Sequence, residues 1–514
     1  MTVAQLLLVG SFATPLALLL ACLWDGPRRR MPGLLWLAPL PGLACALLAA
    51  EAAPLTLDGD GLRFTLALDR ASALLLGAAA LLWSVAGAYA GASIGRQPGA
   101  GRFALWWLVT LAGSLGTFVA QDLLTFYLAF AAVSLAAFGL IVHDGTPKAR
   151  RAGAVTLLLA VMGELCLLLG FALMADAVPG PSLAIADAVA ALADSPLRGV
   201  ALGLLVAGFG LKAGLVPLHV WLPLAHPAAP VPASAVLSGA IVKAGIIGLL
   251  RFLPVDAGLA DWGGVLAAIG FVTAFWGVGC GITQSNPKSV LAYSTISQMG
   301  VTAAALGMGL ALAEPATAIA VAFYATHHAL AKGALFLAVG VAAAVGGWRR
   351  SWLVLLPALV LALGFGGLPG TGGALAKAAV KPQLGAGVVA LLTALSAAGS
   401  TLLMLHFVRR LAAVTPDATA RPAAPLAACW LALAAASVLV PWALHAPLGF
   451  GDPWETLGKD PLATFGPVLL GAMLALALAR WGGRLGTVPE GDILVLAGQA
   501  VRAGDAAGAG VARA

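Results

Sequence analysis

The chain has 514 residues, of which 61% are hydrophobic and only 10% charged, with a mean hydropathy of +1.00. This composition excludes a soluble globular domain and describes an integral membrane protein. The net charge of +7 does not indicate a nucleic-acid partner, because the basic residues recur in every second loop instead of forming one patch.

Apolar runs of about 17 to 25 residues can cross roughly 30 Å of hydrocarbon as a helix. Such runs begin near residues 3, 32, 70, 104, 122, 153, 199, 232, 262, 289, 315, 352, 384, 425 and 463. They lack the alternation of outer-membrane strands, and in hydrocarbon each helix satisfies its own backbone. The expected fold is an all-α polytopic membrane protein of 14–15 transmembrane helices. The first run is short enough for a signal peptide, but its basic cluster, Arg28 to Arg30, follows it rather than precedes it, so it is read as a retained span.

The longest polar stretches, 51–69 and 177–198, are read as short external loops. Basic loops hold Arg28–Arg30, Arg96 and Arg102, Lys148 with Arg150 and Arg151, Lys288, Arg349 and Arg350, Arg409 and Arg410, and Arg480 with Arg484. Intervening loops carry Glu51, Asp58 and Asp60, then Asp176, Asp187 and Asp194, then Asp256, Asp261 and Glu314, and last Asp452, Glu455 and Asp460. The positive-inside rule then places the N-terminus outside and the C-terminus in the cytoplasm of a bacterial inner membrane. From about 485 the chain is expected to be a mobile cytoplasmic tail, with one short helix over Ile493–Val501 as the alternative. Five isolated cysteines, Cys22, Cys45, Cys166, Cys280 and Cys429, have no paired spacing for a metal, cluster or disulfide framework.

Two spans are interrupted. The seventh reaches Lys212 and then meets Gly214, Pro217 and Pro223, and the twelfth reads Phe365-Gly-Gly-Leu-Pro-Gly-Thr-Gly-Gly373 before Lys377. Backbone groups freed by proline and glycine are tolerated at membrane depth only beside protein or a wet cavity. Five spans separate the breaks, so spans 4–8 and 9–13 read as two inverted five-helix repeats, a transporter plan. The expected division is residues 1–103 (spans 1–3), 104–253 and 262–410 (the repeats), 411–484 (further spans) and 485–514 (tail).

An ionisable group in hydrocarbon costs about 3 kcal/mol or more without a partner or water, so such groups usually mark an ion path. At a rise of about 1.5 Å per residue, Lys212, Lys243, Lys332 and the His327/His328 pair lie near mid-membrane. Glu164 lies at similar depth in the sixth span. Burial disfavours an ammonium and a nearby carboxylate favours it, so Lys212 with Glu164 is the expected proton-exchanging pair. His328 and Lys332 stand four apart on one helical face, as a relay requires, whereas His327 points elsewhere and reads as a packing group. Snorkelling is the bland alternative for the lysines, strongest for Lys377 late in its span. His219 and His226 flank the end of the seventh span as proton-uptake groups or interfacial residues, with uptake favoured for His226, and His406 reads as structural.

The segments 210–230 (Gly-Leu-Lys-Ala-Gly-Leu-Val-Pro-Leu-His-Val-Trp-Leu-Pro-Leu-Ala-His-Pro-Ala-Ala-Pro) and 234–245 closely resemble the antiporter-like proton-conducting subunits. This family includes respiratory complex I membrane-arm subunits, Mrp-type antiporter subunits, and the membrane subunits of formate hydrogenlyase and group 4 hydrogenases. Asn286-Pro-Lys-Ser-Val-Leu-Ala-Tyr-Ser-Thr-Ile-Ser-Gln-Met-Gly300 and His327-His-Ala-Leu-Ala-Lys-Gly-Ala-Leu-Phe-Leu337 resemble its second-repeat motifs, and the wording Ala-His-Pro-Ala-Ala-Pro is most like the hydrogenase-type members. The resemblance implies fourteen helices with the seventh and twelfth broken. It also implies relay roles for Lys212, Lys243, His328, Lys332 and Lys377, the last at the ion exit. It departs in the fifth helix, where Phe130-Ala131-Ala132-Val133-Ser134-Leu135 puts Ala131 at the place of the family's glutamate, and Glu164 is the expected substitute.

The resulting expectation is a non-catalytic, proton-translocating subunit of a redox-driven complex of NADH–quinone oxidoreductase or membrane-bound hydrogenase type. The alternatives are a cation/proton antiporter subunit of Mrp type and a nonpumping scaffold. Expected partners are other membrane subunits, antiporter-like homologues among them, a soluble redox module, protons or sodium ions, and lipid, with no nucleic acid. No cofactor or metal is expected in this chain.

Overall fold

The computed structural model describes residues 1–59, 62–344, 348–414, 424–458, 461–482 and 486–496. Twelve helices among them are long and apolar enough to cross a membrane, and three further passes are assembled from shorter pieces. The first pass is Val3–Ala21. The second was expected as one helix but is a 3₁₀ turn, Met31–Gly33, followed by the helix Leu40–Leu48. Pro32, Pro39 and Pro41 supply no backbone N–H and so interrupt it.

A hairpin of Leu55–Gly59 and Leu62–Leu66 follows, with Leu55 opposite Leu66. Asp122 pins it to the bundle: its carboxylate accepts from the Thr65 amide at 2.7 Å and from the Thr125 amide at 2.8 Å. The same aspartate thus caps the fifth pass. The third to sixth passes are Arg70–Ser93, Ala100–Val119, Leu123–Ile141 and Pro147–Ala177. Thr146-Pro147 and Asn286-Pro287 start the sixth and tenth helices, each with a side-chain cap and proline in the first turn.

The seventh pass is Arg198–Ala213 and Trp221–Ala228, and the eighth is Val231–Phe252. The ninth to eleventh are Ala260–Gly281, Pro287–Leu312 and Thr317–Ala344. Trp348–Gly366 and Gly372–Ala379 make the broken twelfth, and Gly387–Ala412, Ala424–His445 and Pro461–Trp481 complete the series. Passes 4–8 and 9–13 each hold a broken helix in fourth place. Because five is odd, the second unit starts at the opposite membrane face and the repeat is inverted.

Small residues set the closest contact. Gly263, Gly270 and Gly277 of the ninth pass face Gly300 and Gly307 of the tenth, where an added Cβ would come within 2.5–2.6 Å of backbone atoms. Glycine every seven residues therefore lets the two backbones touch, the usual way of packing helices where lipid removes the hydrophobic drive.

Candidate functional site: a row of buried cations between two broken helices

The seventh pass breaks after Lys212, which lies in the last turn of its first half-helix, where the carbonyl dipole favours a cation. Gly214 takes φ +82° and closes the turn. The freed backbone is satisfied by neighbours: Trp221 Nε1 donates to the Leu211 carbonyl at 2.9 Å, and the Val216 amide donates to Thr273 Oγ1 at 3.0 Å. Lys377 likewise sits in the last turn of its half-helix, after Gly367 and Gly370 at φ +99° and +82°. Its aliphatic stem lies against Gly367.

Lys212 lines a small cavity with Phe130, Ser134, Thr156, Gly163 and Trp221. Its Nζ is 6.0 Å from the Phe130 ring and 5.9 Å from Trp221. Glu164 is buried at 6% exposure, next to Ser134 and within electrostatic reach of Lys212, and neither carboxylate oxygen makes a hydrogen bond of ordinary geometry. Among the described residues the two form no ion pair within 4.0 Å. The face of the fifth helix toward Lys212 carries Phe130, Ser134 and Ala137. Ala131 is not among these lining residues and stands one turn from Ser134 on the same helix.

Toward the acidic-loop end, Phe126, Phe130, Phe171, Phe209 and Phe252 pack ring against ring, with centroids 4.6–6.2 Å apart. They come from the fifth to eighth passes and close that side of Lys212 with apolar surface.

The second cluster is joined by polar contacts that pass through two backbone carbonyls. Lys243 Nζ lies 2.5 Å from His328 Nδ1 and donates to the Ser238 carbonyl at 3.3 Å. A single proton can sit on either nitrogen of this pair, and His328 Nε2 has no partner. Ser238 lies in a π-helical turn, Leu237–Ile241, and its hydroxyl bonds Thr295 Oγ1 at 2.7 Å. Thr295 donates to the Leu291 carbonyl at 2.9 Å, and Lys332 Nζ donates to the same oxygen at 3.3 Å. Lys332 also faces the Phe365 ring at 4.8 Å. The chain Lys243–Ser238–Thr295–Leu291–Lys332 thus runs between the eighth and eleventh passes by way of the tenth. Lys243, His328 and Lys332 are each at most 1% exposed, too deep for the snorkelling alternative.

His327 packs on the break of the twelfth pass, within electrostatic reach of Lys377 and 5.5 Å from Phe365. His226 is fully buried, stacks 4.7 Å from Phe336, and neither of its ring nitrogens has a partner. His406 bonds the Gln284 carbonyl at 2.8 Å, a structural contact. Among the described residues no hydrogen bond or ion pair joins Lys212 or Glu164 to Lys243, so the site has two parts.

Three groups escaped the sequence reading. Arg251 donates to Ser72 Oγ at 2.8 Å, to the Thr117 carbonyl at 3.0 Å, and to the Phe118 and Ala120 carbonyls, tying the eighth pass to the end of the fourth. Gln298 links Tyr324 and Ser400 at 2.6 and 2.9 Å. Segment 486–496 was expected to be part of a mobile tail, yet its Asp492 is fully buried. The apolar run Ile493–Leu496 after Pro-Glu-Gly-Asp was the available signal. Residues 497–514, with the rest of the alternative helix, lie outside the described residues.

Comparison with known proteins finds relatives both in sequence and in fold. The chain is 34% identical over 290 residues to hydrogenase-4 component B of Escherichia coli (strain K12), covering 54% of this chain and 43% of that protein. It is 35% identical over 251 residues to a Na(+)/H(+) antiporter subunit of Bacillus subtilis (strain 168), covering 47% and 31%. It therefore spans less than half the length of these relatives. Its fold matches a chain of the Mrp complex from Dietzia sp. DQ12-45-1b at a TM-score of 0.80 and 24% identity, over 99% of this chain and 60% of that one. A chain of the membrane-bound sulfane sulfur reductase, an archaeal respiratory membrane complex, matches at 0.71 and 21% identity, over 94% and 86%. Residues 120–404 match the family described as NADH:quinone oxidoreductase/Mrp antiporter, TM, and the chain belongs to that family.

Proposed function

We propose that this chain is a proton-translocating subunit of a redox-driven membrane complex of NADH–quinone oxidoreductase or hydrogenase type. The observation that carries the reading is the Lys243–His328 contact, with its polar link to Lys332, buried between two inverted repeats. A row of groups that exchange protons, buried in the eighth and eleventh passes beside the two broken helices, is suited to passing protons. Similarity to hydrogenase-4 component B supports the redox assignment.

In this reading protons are taken up at the basic-loop end, the cytoplasmic face by the positive-inside rule, near His226 and Lys243. They pass by His328 and Lys332 and leave outward by Lys377. Lys212 and Glu164 change their separation or hydration as the partner subunits drive the cycle. The polypeptide holds no electron carrier in this scheme. A redox module on partner subunits supplies the energy.

A second reading, a cation/proton antiporter subunit of Mrp type, is supported by the fold match along nearly the whole chain and by the identity to the Bacillus subtilis antiporter protein. The unpaired Glu164 and the absence of a carboxylate at Ala131 support a third, a scaffold that no longer pumps. One experiment separates them: proton and sodium flux in vesicles holding the complete native complex, with the unaltered chain against Lys212→Ala and Lys243→Ala. Redox-driven proton flux lost in both variants supports the first reading. Gradient-driven exchange of sodium for protons supports the second, and flux indifferent to both lysines supports the third.

A further inference from the structure

Segment 486–496 docks where the broken seventh pass meets the basic-loop end, and it touches both repeats. Lys148 of the sixth pass pairs with Glu490 at 2.7 Å, and Ser289 of the tenth donates to the same carboxylate at 2.6 Å. Gln284 Nε2 donates to the Val488 carbonyl at 2.9 Å, and the Val488 amide donates to Thr283 Oγ1 at 3.3 Å. These contacts place the Asp492 carboxylate, wholly buried, beside the wholly buried imidazole of His219.

The geometry fixes the proton inventory. Asp492 Oδ2 takes a hydrogen bond from Tyr293 Oη at 2.8 Å and lies 2.9 Å from His219 Nε2. Oδ1 accepts from the Ile493 amide. A carboxylate only accepts, so Nε2 carries a proton, and Nδ1 holds a second one only when the ring is the imidazolium. His219 Nδ1 is buried and has no partner. A carboxylate that sets a histidine tautomer and steadies its protonated form, with the opposite nitrogen free, is the arrangement used wherever imidazole must take up a proton. The other titratable groups around the cluster are Cys280 on the ninth pass, and Glu490, which Lys148 already pairs.

We propose that His219 and Asp492 form a proton-loading pair at the basic-loop end of the seventh pass, and that segment 486–496 exists in part to deliver the carboxylate. His219 Nδ1 accepts a proton from water at the mouth, the imidazolium is held by Asp492, and the proton is released toward the Lys212 cavity. No bond other than N–H is made or broken. The proposal rests on the conduction reading and adds a loading residue far from the family motifs in sequence.

The test uses the native complex in vesicles and two readouts. Proton flux is measured between pH 5.5 and 8.5 for the unaltered chain, Asp492→Asn, His219→Gln and Lys212→Ala, and hydrogen exchange of the 486–496 peptide reports docking. Asparagine keeps an acceptor for His219 but removes the charge, so docking protection should weaken without being lost. Flux of Asp492→Asn should fall about tenfold at pH 7.5 and recover as the pH is lowered, because loading then needs a higher proton concentration. His219→Gln should lose flux at every pH. An unchanged flux–pH profile in Asp492→Asn, with Lys212→Ala inactive, overturns the loading pair and leaves the conduction reading standing. Flux lost equally at all pH values together with docking protection also overturns it, since the carboxylate is then only an anchor. Flux untouched by Lys212→Ala sinks the conduction reading and this role with it.

Discussion

Lys243 Nζ and His328 Nδ1 lie 2.5 Å apart across the eighth and eleventh passes, with both side chains out of reach of solvent. The contact joins the last helix of the first repeat to the third helix of the second, so a proton moving from one side chain to the other crosses the repeat boundary. His328→Ala should therefore lower redox-driven proton flux about a hundredfold, within the range for loss of a positioned acid–base group. His327→Ala, which empties a packing site on the twelfth pass, should lower thermal stability more than flux. The comparison needs both variants in the intact complex, and equal loss of flux in the two would remove the distinction.

The sequence made the ends of this path legible and left its middle dark. Lys212 and Lys377 stand out because glycine and proline break the apolar pattern beside each of them. His328 separates from His327 because its spacing to Lys332 is that of one helical face. The link Ser238–Thr295 joins residues 57 positions apart through ordinary hydroxyls that would be unremarked in any helix. His219 and Asp492 are 273 positions apart, and nothing local announces their meeting. Helix rotation is equally hidden: motif register puts Ala131 at the glutamate's place, but packing turns Ser134 toward Lys212.

That rotation makes a prediction about restoring the carboxylate. Glu164→Gln should reduce Lys212-dependent flux at least about tenfold, because it removes the anion nearest the buried ammonium. In that background Ser134→Glu, from a position that lines the cavity, should recover more of the flux than Ala131→Glu, one turn away on the same helix. Full activity of Glu164→Gln would take the glutamate out of the mechanism, and rescue by Ala131→Glu alone would show that the fifth helix is turned differently in the working complex.

The break of the twelfth pass depends on space as much as on lysine. A Cβ on Gly373 would overlap the Gly364 carbonyl and meet His327 Cε1 at 3.0 Å, whereas one on Gly279 would meet nothing within 4 Å. Gly373→Ala should thus cost about 1–3 kcal/mol of stability by overpacking, with a lowered melting temperature of the purified complex and impaired flux. Gly279→Ala serves as the matched control and should change neither.

Docking of segment 486–496 should not weaken as the pH falls across the physiological range. Burial works against the charge of Asp492 more strongly than any other single influence, but the hydrogen bond and charge of His219, the Ile493 amide and the Tyr293 hydroxyl together outweigh it and hold the carboxyl below its ordinary value. A carboxyl whose docked pKa lies below its free pKa of about 3.9 adds stability above that pH and loses it as the pH falls through the docked value. Hydrogen-exchange protection over 488–494, corrected for intrinsic rates, should therefore not fall between pH 8 and pH 5 and should weaken only below about pH 4. Release of the segment between pH 7 and pH 5 would mean that Asp492 gives up its charge far more readily than these three partners allow, and that the anion does not strengthen docking.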